Sequence, residues 1–492
     1  AAWLLAREYR SRHDLGAAMR ATAARLEGAF TLVAMHREHP GLVVAARRDS
    51  PLVVGIGEGE VFLASDVAAF ADNTRHALAL GQNQVVAATP EGIVVTDLAG
   101  RPAEPEPFEV DWDPAAAQKG GWPSFMAKEI DEEPAAVTDT LRGRLDGGRV
   151  RLPELEGLLA AGFSVRKILI LACGTAYYAG EAARHALEAW AGIPTSVELA
   201  HEFRYREPLV EEGTLVVTIS QSGETMDTLM AARYARERGA LTLSVCNTQG
   251  SSIPRESDAV LYTRAGPEVA VASTKAFVAQ VVALLLVALH LAGRVPQTGA
   301  ARGGLSDLHA AAIESLLKIP GQIRTVLDTQ RPAVDAVAAK LAAVPSIFLL
   351  GRGVLLPVAR EGALKLKETS YVHAEAFPAG ELKHGPIALI EPGRPVIALA
   401  PPQGTLLGAK MDSTVQELRA RGADVTVIGQ VGGVPADDGP AGSGRVVIPE
   451  TDPLLSPLLA VVPLHMLAMA VAGVRGVDVD QPRNLAKSVT VE

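Results

Sequence analysis

Four stretches of the chain carry residue types at spacings that could do chemistry. The first is Ser220-Gln221-Ser222-Gly223-Glu224-Thr225, which lies between an apolar run at 215–219 and a helical stretch at 226–238. Its hydroxyls, its flexible glycine and the free N–H groups at the start of the helix converge on one point, and such a point attracts a dianionic phosphate. Gly174-Thr175, and Ser273-Thr274 further on, add hydroxyls. No Walker pattern is present, which disfavours a nucleoside triphosphate. A plain cluster of helix N-caps is the alternative, and the additional hydroxyls favour phosphate.

The second stretch holds Glu361, Lys365 and Glu368, spaced i, i+4, i+7 and therefore on one helical face. A surface ion-pair ladder would give the same spacing. Flanking Ala363, Leu364 and Leu366 argue for a buried position, where a carboxylate beside a cation is a usable general base. The third, Glu381-Leu382-Lys383-His384-Gly385-Pro386, puts in a loop an imidazole that titrates near neutrality; a solvated histidine is the plainer reading. The fourth is the polar tail Asp480-Gln481-Pro482-Arg483-Asn484-Leu485-Ala486-Lys487-Ser488, which directly follows an apolar helix. Tails usually fray, but a lysine here could engage a carbonyl as a charge or as an imine.

The elements that must hold these groups are legible in the apolar pattern. Runs at 168–172, 215–219 and 241–245 alternate with helical stretches, and runs at 347–350, 396–400 and 425–428 repeat the arrangement. The first two strands start roughly 47 residues apart in both copies, and the second and third about 28. Continuous apolar strands alternating with helices predict parallel sheets covered on both faces, with loops at the strands' carboxyl ends where ligands bind. The chain is therefore expected to be α/β, with two doubly wound domains. In the second copy Pro401-Pro402-Gln403-Gly404 replaces the serine-rich loop and lacks its hydroxyls, so no phosphate is expected there. Residues 1–100 read as α+β: helical spacing over 2–26, then short strands at 30–35, 42–45, 52–56, 61–64, 85–87 and 93–95. The proline- and acid-rich residues 101–123 read as a linker.

The 492 residues allow roughly three domains. A net charge of −10 with no basic stripe argues against nucleic acid. Two cysteines are too few for a disulfide scaffold and fit a reducing cytoplasm. Apolar stretches at 277–292 and 454–474 could imitate membrane spans. The first is short and the second is interrupted by Pro457, Pro463 and His465, so both are expected to be buried helices, with no membrane partner.

Taken together, these motifs resemble the glutamine–fructose-6-phosphate aminotransferase (isomerizing) family, the glucosamine-6-phosphate synthases. Ala172-Cys173-Gly174-Thr175, the Ser220–Thr225 hexapeptide, Val271-Ala272-Ser273-Thr274-Lys275, Glu361-Gly362-Ala363-Leu364-Lys365-Leu366-Lys367-Glu368, Gly380 through Pro386, and the tail to Thr490-Val491-Glu492 match it in order and spacing. The resemblance implies a partial N-terminal-nucleophile-type glutaminase domain at 1–107, a linker and connecting helix at 108–157, sugar isomerase (SIS) domains at 158–298 and 338–482, and an active-site tail at 483–492. It implies that Thr175, Ser220, Gln221, Ser222 and Thr225, with Val271, Ser273 and Ala486, bind the sugar phosphate. It implies that His384 helps open the sugar ring from the neighbouring subunit of a homodimer. Glu368 would move a proton between C1 and C2, with Glu361 and Lys365 beside it, and Lys487 would meet the open-chain ketose. The implied substrates are fructose 6-phosphate and glutamine or ammonia, with no cofactor and no metal.

Two positions depart from the family. Ala176 stands where the family usually has serine, which removes one hydroxyl from the phosphate shell. Residue 1 is Ala, where the family's glutaminase uses an N-terminal cysteine; the resemblance therefore implies that this chain does not hydrolyse glutamine. Another SIS-domain isomerase or deglycase, or a non-catalytic sugar-phosphate sensor, are the competing expectations.

Overall fold

The computed structural model describes residues 1–110, 114–146, 148–160, 163–292, 305–430 and 444–489. Its two five-stranded sheets are parallel throughout and share one strand order. In the first, Thr195–Leu199, Lys167–Ala172, Thr214–Ser220, Leu241–Cys246 and Ala259–Tyr262 lie side by side. In the second, His373–Pro378, Ser346–Gly351, Pro395–Ala400, Asp424–Gln430 and Arg445–Ile448 do the same. In each sheet the order reverses beside the first strand, and ligands bind at the carboxyl ends of strands around such a switch point. Every residue of Thr214–Ser220 and Pro395–Ala400 is buried, because helices cover both faces of each sheet.

The helices bind the two copies into one body. Gly174–Ala186 of the first packs on Leu355–Ser370 of the second, where Arg360 and Glu181 form a two-pronged ion pair at 2.7 and 2.8 Å. A single apolar cluster runs through both copies, from Ile168 and Phe277 to Leu349 and Leu464. The apolar helix Lys275–Leu291 is buried along its whole length. Ser456–Arg475, long and apolar enough to cross a membrane, is mostly buried inside the molecule, in two helices that meet at Val461.

The front of the chain forms two four-stranded antiparallel sheets, an arrangement that fits a glutaminase-type domain. Three expectations need correction here. Residues 2–26 form two helices, Ala2–Arg12 and Leu15–Ala23, because His13 takes a left-handed conformation and Asp14 caps the second helix by accepting from Ala17 N. A strand at His76–Ala79 went unread. Part of the expected linker, Glu106–Glu109, is a strand paired with it, with Phe108 opposite Ala77. The middle of that linker, residues 111–113, lies outside the described residues. Arg47, buried in this domain, donates to Ser252 Oγ at 3.3 Å, and Arg233 reaches Asp49 at 3.2 Å, so the front domain is tied to the first parallel sheet.

Candidate active site

The strand Thr214–Ser220 ends in the predicted loop, and the helix Met226–Glu237 starts just after it. The turn is tight. Gly223 has φ +68°, and a β-carbon there would lie 2.0 Å from Ser251 Oγ, so only glycine fits. Ser220 Oγ accepts from Gly223 N at 2.9 Å and lies 3.0 Å from Thr225 Oγ1, while Ser222 Oγ accepts from Glu224 N at 3.2 Å. The loop thus holds its own hydroxyls in place around a helix N-terminus, as phosphate recognition requires. Glu224 turns away from it and accepts from Ser252 N at 2.9 Å.

A cavity of about 240 Å³ opens above this loop. Thr175, Ser220, Gln221, Ser222, Thr225, Val271 and Ser273 line it from the first copy, Lys365 and Glu368 from the second, and Ala486 and Lys487 from the tail. Ala176, the departure from the expected serine, lines it too. Every predicted binding residue therefore meets in one place, together with three of the five predicted catalytic ones.

Glu361 is not on the cavity wall. It is fully buried one turn behind Lys365, where Glu361 Oε1 accepts from Thr175 Oγ1 at 3.1 Å. Lys365 Nζ donates to Thr175 Oγ1 at 3.0 Å and to Glu368 Oε2 at 2.6 Å, and lies 3.4 Å from Glu361 Oε1. Burial works to lower the Lys365 ammonium, but the Glu361 and Glu368 carboxylates more than offset it and raise its pKa above the usual value. Lys365 is therefore a fixed cation. The surface-ladder reading fails, because Glu361 and Lys365 are wholly inaccessible to solvent. His384 lies on the exposed one-turn helix Glu381–His384 and does not line the cavity of its own chain.

The tail does not fray over its described length; Thr490-Val491-Glu492 lie outside the described residues. Asp480 accepts from Phe125 N and Met126 N, both at 2.9 Å, and its carbonyl accepts from Val271 N at 3.0 Å. Arg483 N donates to Tyr371 Oη at 2.8 Å, and Val489 O accepts from Met226 N at 3.2 Å. Lys487 Nζ donates to Glu268 Oε2 and to Ala270 O, both at 2.8 Å. Burial acts to raise Glu268, but the Lys487 ammonium and bonds from Thr274 N and Ala276 N more than offset it and hold its pKa at about 2. Neighbouring Glu129 is pushed up to about 8 by burial and by the Glu268 charge.

Sequence reasoning missed Glu268, which anchors Lys487, and Gln280, a buried cavity-lining residue whose Oε1 has no partner. Glu268 stands three residues before the Val271 motif and could have been found by extending it. Gln280 is a polar residue in the apolar middle of the Lys275–Leu291 helix, between Ala276 and Leu289, which was the available signal.

Comparison with known proteins covers nearly the whole chain. The family model of the SIS domain matches twice, at residues 163–290 and 340–471. The glutamine–fructose-6-phosphate aminotransferase (isomerizing) of Leifsonia xyli subsp. xyli is 56% identical over 496 residues, which cover 100% of this chain and 79% of the relative. The enzyme of the same name from Streptomyces coelicolor is 55% identical over 499 residues, again 100% of this chain and 79% of the relative. The solved C-terminal domain of glucosamine-fructose-6-phosphate aminotransferase from Francisella tularensis superposes with a TM-score of 0.67 at 37% identity, over 74% of this chain and 100% of that one.

Proposed function

The chain belongs to the glutamine–fructose-6-phosphate aminotransferase (isomerizing) family, and we propose that its cavity converts fructose 6-phosphate and ammonia into glucosamine 6-phosphate. One observation carries this reading: the hydroxyl-lined loop, the Lys365–Glu368 pair and Lys487 share one cavity of about 240 Å³.

Thr175, Ser220, Ser222 and Thr225, with the N-terminus of the Met226–Glu237 helix, bind the phosphate. Gln221, Val271, Ser273 and Ala486 contact the sugar. His384 of a second protomer assists ring opening, so the working unit is a homodimer. Lys487, oriented by Glu268, polarises the exposed C2 carbonyl. Ammonia adds there, water leaves, and a C2 imine remains. Glu368 then takes a proton from C1 and delivers one to C2. The hydroxyl at C1 becomes the aldehyde and the imine nitrogen becomes the amine, so the step is balanced without a redox cofactor. In this division of labour Lys365, backed by Glu361, holds Glu368 oriented. Ammonia comes from glutamine in the family, and we assign residues 1–107 to the glutaminase-type domain. The two thiols, Cys173 and Cys246, are unbridged and suit a reducing cytoplasm.

The test is direct. The purified chain is supplied with fructose 6-phosphate and an ammonium salt, and products are resolved by mass spectrometry. Glucosamine 6-phosphate is expected. Glucose 6-phosphate alone would identify a plain ketose–aldose isomerase, and binding without turnover would identify a sensor.

A further inference from the structure

A charged chain runs behind the cavity, wholly out of solvent. Glu133, on the helix Glu133–Leu141, accepts from His465, on the helix Val462–Arg475, with Oε1 and Nδ1 2.6 Å apart. The other ring nitrogen, Nε2, lies 3.9 Å from Glu361 Oε1, and Lys365 Nζ follows at 3.4 Å on the same oxygen. Glu133, His465, Glu361 and Lys365 are each 0% exposed.

Such a chain is costly unless its charges cancel, because a buried charge with no partner costs several kcal/mol. Two fully buried carboxylates, Glu133 and Glu361, stand along it, and Lys365 also faces the part-exposed Glu368. Lys365 alone cannot balance them, and among the described residues the other side chain placed to do so is His465. Among the described residues, Glu133 and Glu361 are the charged groups paired with the imidazole. The Lys275–Leu291 helix offers it the edge of Phe277, with ring centroids 6.3 Å apart and perpendicular. Glu268 acts on Glu133 and on Lys365 as a further negative charge. At 3.9 Å the link from Nε2 to Glu361 is longer than a hydrogen bond, and Nε2, Glu361 Oε2 and Glu133 Oε2 have no hydrogen-bond partner. The tie to Glu361 is therefore one of charge. If the chain served only packing, apolar residues of similar volume would do as well or better.

We propose that His465 is a positioning residue for the reaction: held as an imidazolium between Glu133 and Glu361, it sets a positive charge behind Glu361, so that Lys365 Nζ stays seated against Glu368. The inference rests on the function proposed above. Burial and the Glu268 charge keep the Glu133 carboxyl above its ordinary value even against the His465 charge, so the Glu133 bond does not by itself decide which partner holds the proton, and the second carboxylate beyond the ring decides it. Burial also works against the His465 cation, but Glu133 and then Glu361 more than offset it and raise the imidazole to about 9.

The experiment compares wild type with Glu133→Gln/His465→Gln, whose two amides preserve a hydrogen bond between the helices but remove both charges. Turnover of the wild type on fructose 6-phosphate and ammonium is the control, and its failure would strike the proposed function. In the double variant the KM for fructose 6-phosphate is expected to stay near wild type. Its kcat is expected to fall by about tenfold and the acid limb of its pH profile to move up by about one unit, because losing a nearby positive charge favours a carboxylate's neutral form. An unchanged kcat and pH profile in a folded double variant would overturn the inference. A second measurement needs no turnover and survives a variant that fails to fold: ¹⁵N shifts of the wild-type histidines at pH 7.5. A doubly protonated His465 ring is expected, and a neutral one would overturn the proposal.

Discussion

Lys365 and Thr175 belong to different copies of the duplicated fold, and their side chains meet at 3.0 Å where the copies face each other. The same ammonium reaches Glu368 at 2.6 Å. One cation thus joins the first turn of the Gly174–Ala186 helix, in the first copy, to the carboxylate assigned to the proton shuttle. The site belongs to neither copy alone, which is a reason for a duplicated chain to keep both.

That bridge can be cut at the hydroxyl. Thr175→Val keeps the shape of the side chain but leaves Lys365 one acceptor short and Glu361 one donor short. The expected cost is about 1–3 kcal/mol of stability, with kcat falling because Glu368 loses its fixed partner. Thermal melting and steady-state kinetics measured together check both effects. A variant with wild-type kcat would show that the bridge does not serve catalysis.

The tail offers a second cut. Glu268 holds Lys487 through one charge-assisted bond, and Glu268→Gln keeps the size but not the charge. The kcat/KM for fructose 6-phosphate is expected to fall about 10- to 100-fold, in line with a loss of about 1.4–2.7 kcal/mol of transition-state stabilisation. Limited proteolysis should then cut the tail faster. A tail as resistant as wild type, with unchanged kinetics, would remove Glu268 from the account.

Much of this was legible in the chain. The strands Lys167–Ala172 and Thr214–Ser220 announce themselves because both faces are covered and every position after Lys167 is buried. The edge strands do not. His373–Pro378 alternates exposed His373 and Glu375 with buried Ala374, and Glu106–Glu109 carries two acids and a proline, so composition hides both. The cavity residues could be found because phosphate loops and i, i+4, i+7 ladders are local patterns. Glu133 and His465 lie 332 positions apart and meet only after the helices pack, so no spacing in the sequence links them.

Stability should report the buried histidine independently. His465 is raised from 6.5 to about 9 in the folded chain, so its contribution is fully present below pH 6.5 and is lost as pH rises through about 9. Melting temperature should fall across that window in the wild type and fall less in His465→Gln. Parallel curves for the two proteins would mean that His465 does not take up its proton on folding.

Assembly is checked by complementation. His384 is exposed and does not line its own chain's cavity, so a His384→Ala chain and a Glu368→Gln chain, each inactive alone, should recover activity when mixed into heterodimers, because one of the two mixed sites then carries both groups. No recovery, with heterodimers shown to form, would place both groups in one subunit.

The central claim is that Glu368 moves the proton, and Glu368→Gln tests it most directly. The amide keeps the size and the hydrogen bond to Lys365 but cannot accept a proton from C1. Losing a general base costs about 10²–10⁴ in rate. The variant should bind fructose 6-phosphate with near wild-type affinity and melt within a few degrees of wild type, yet form glucosamine 6-phosphate at least about 100-fold more slowly. Near-normal turnover in a destabilised protein would contradict the account and leave Glu361, Lys365 and Glu368 as a structural ion-pair chain.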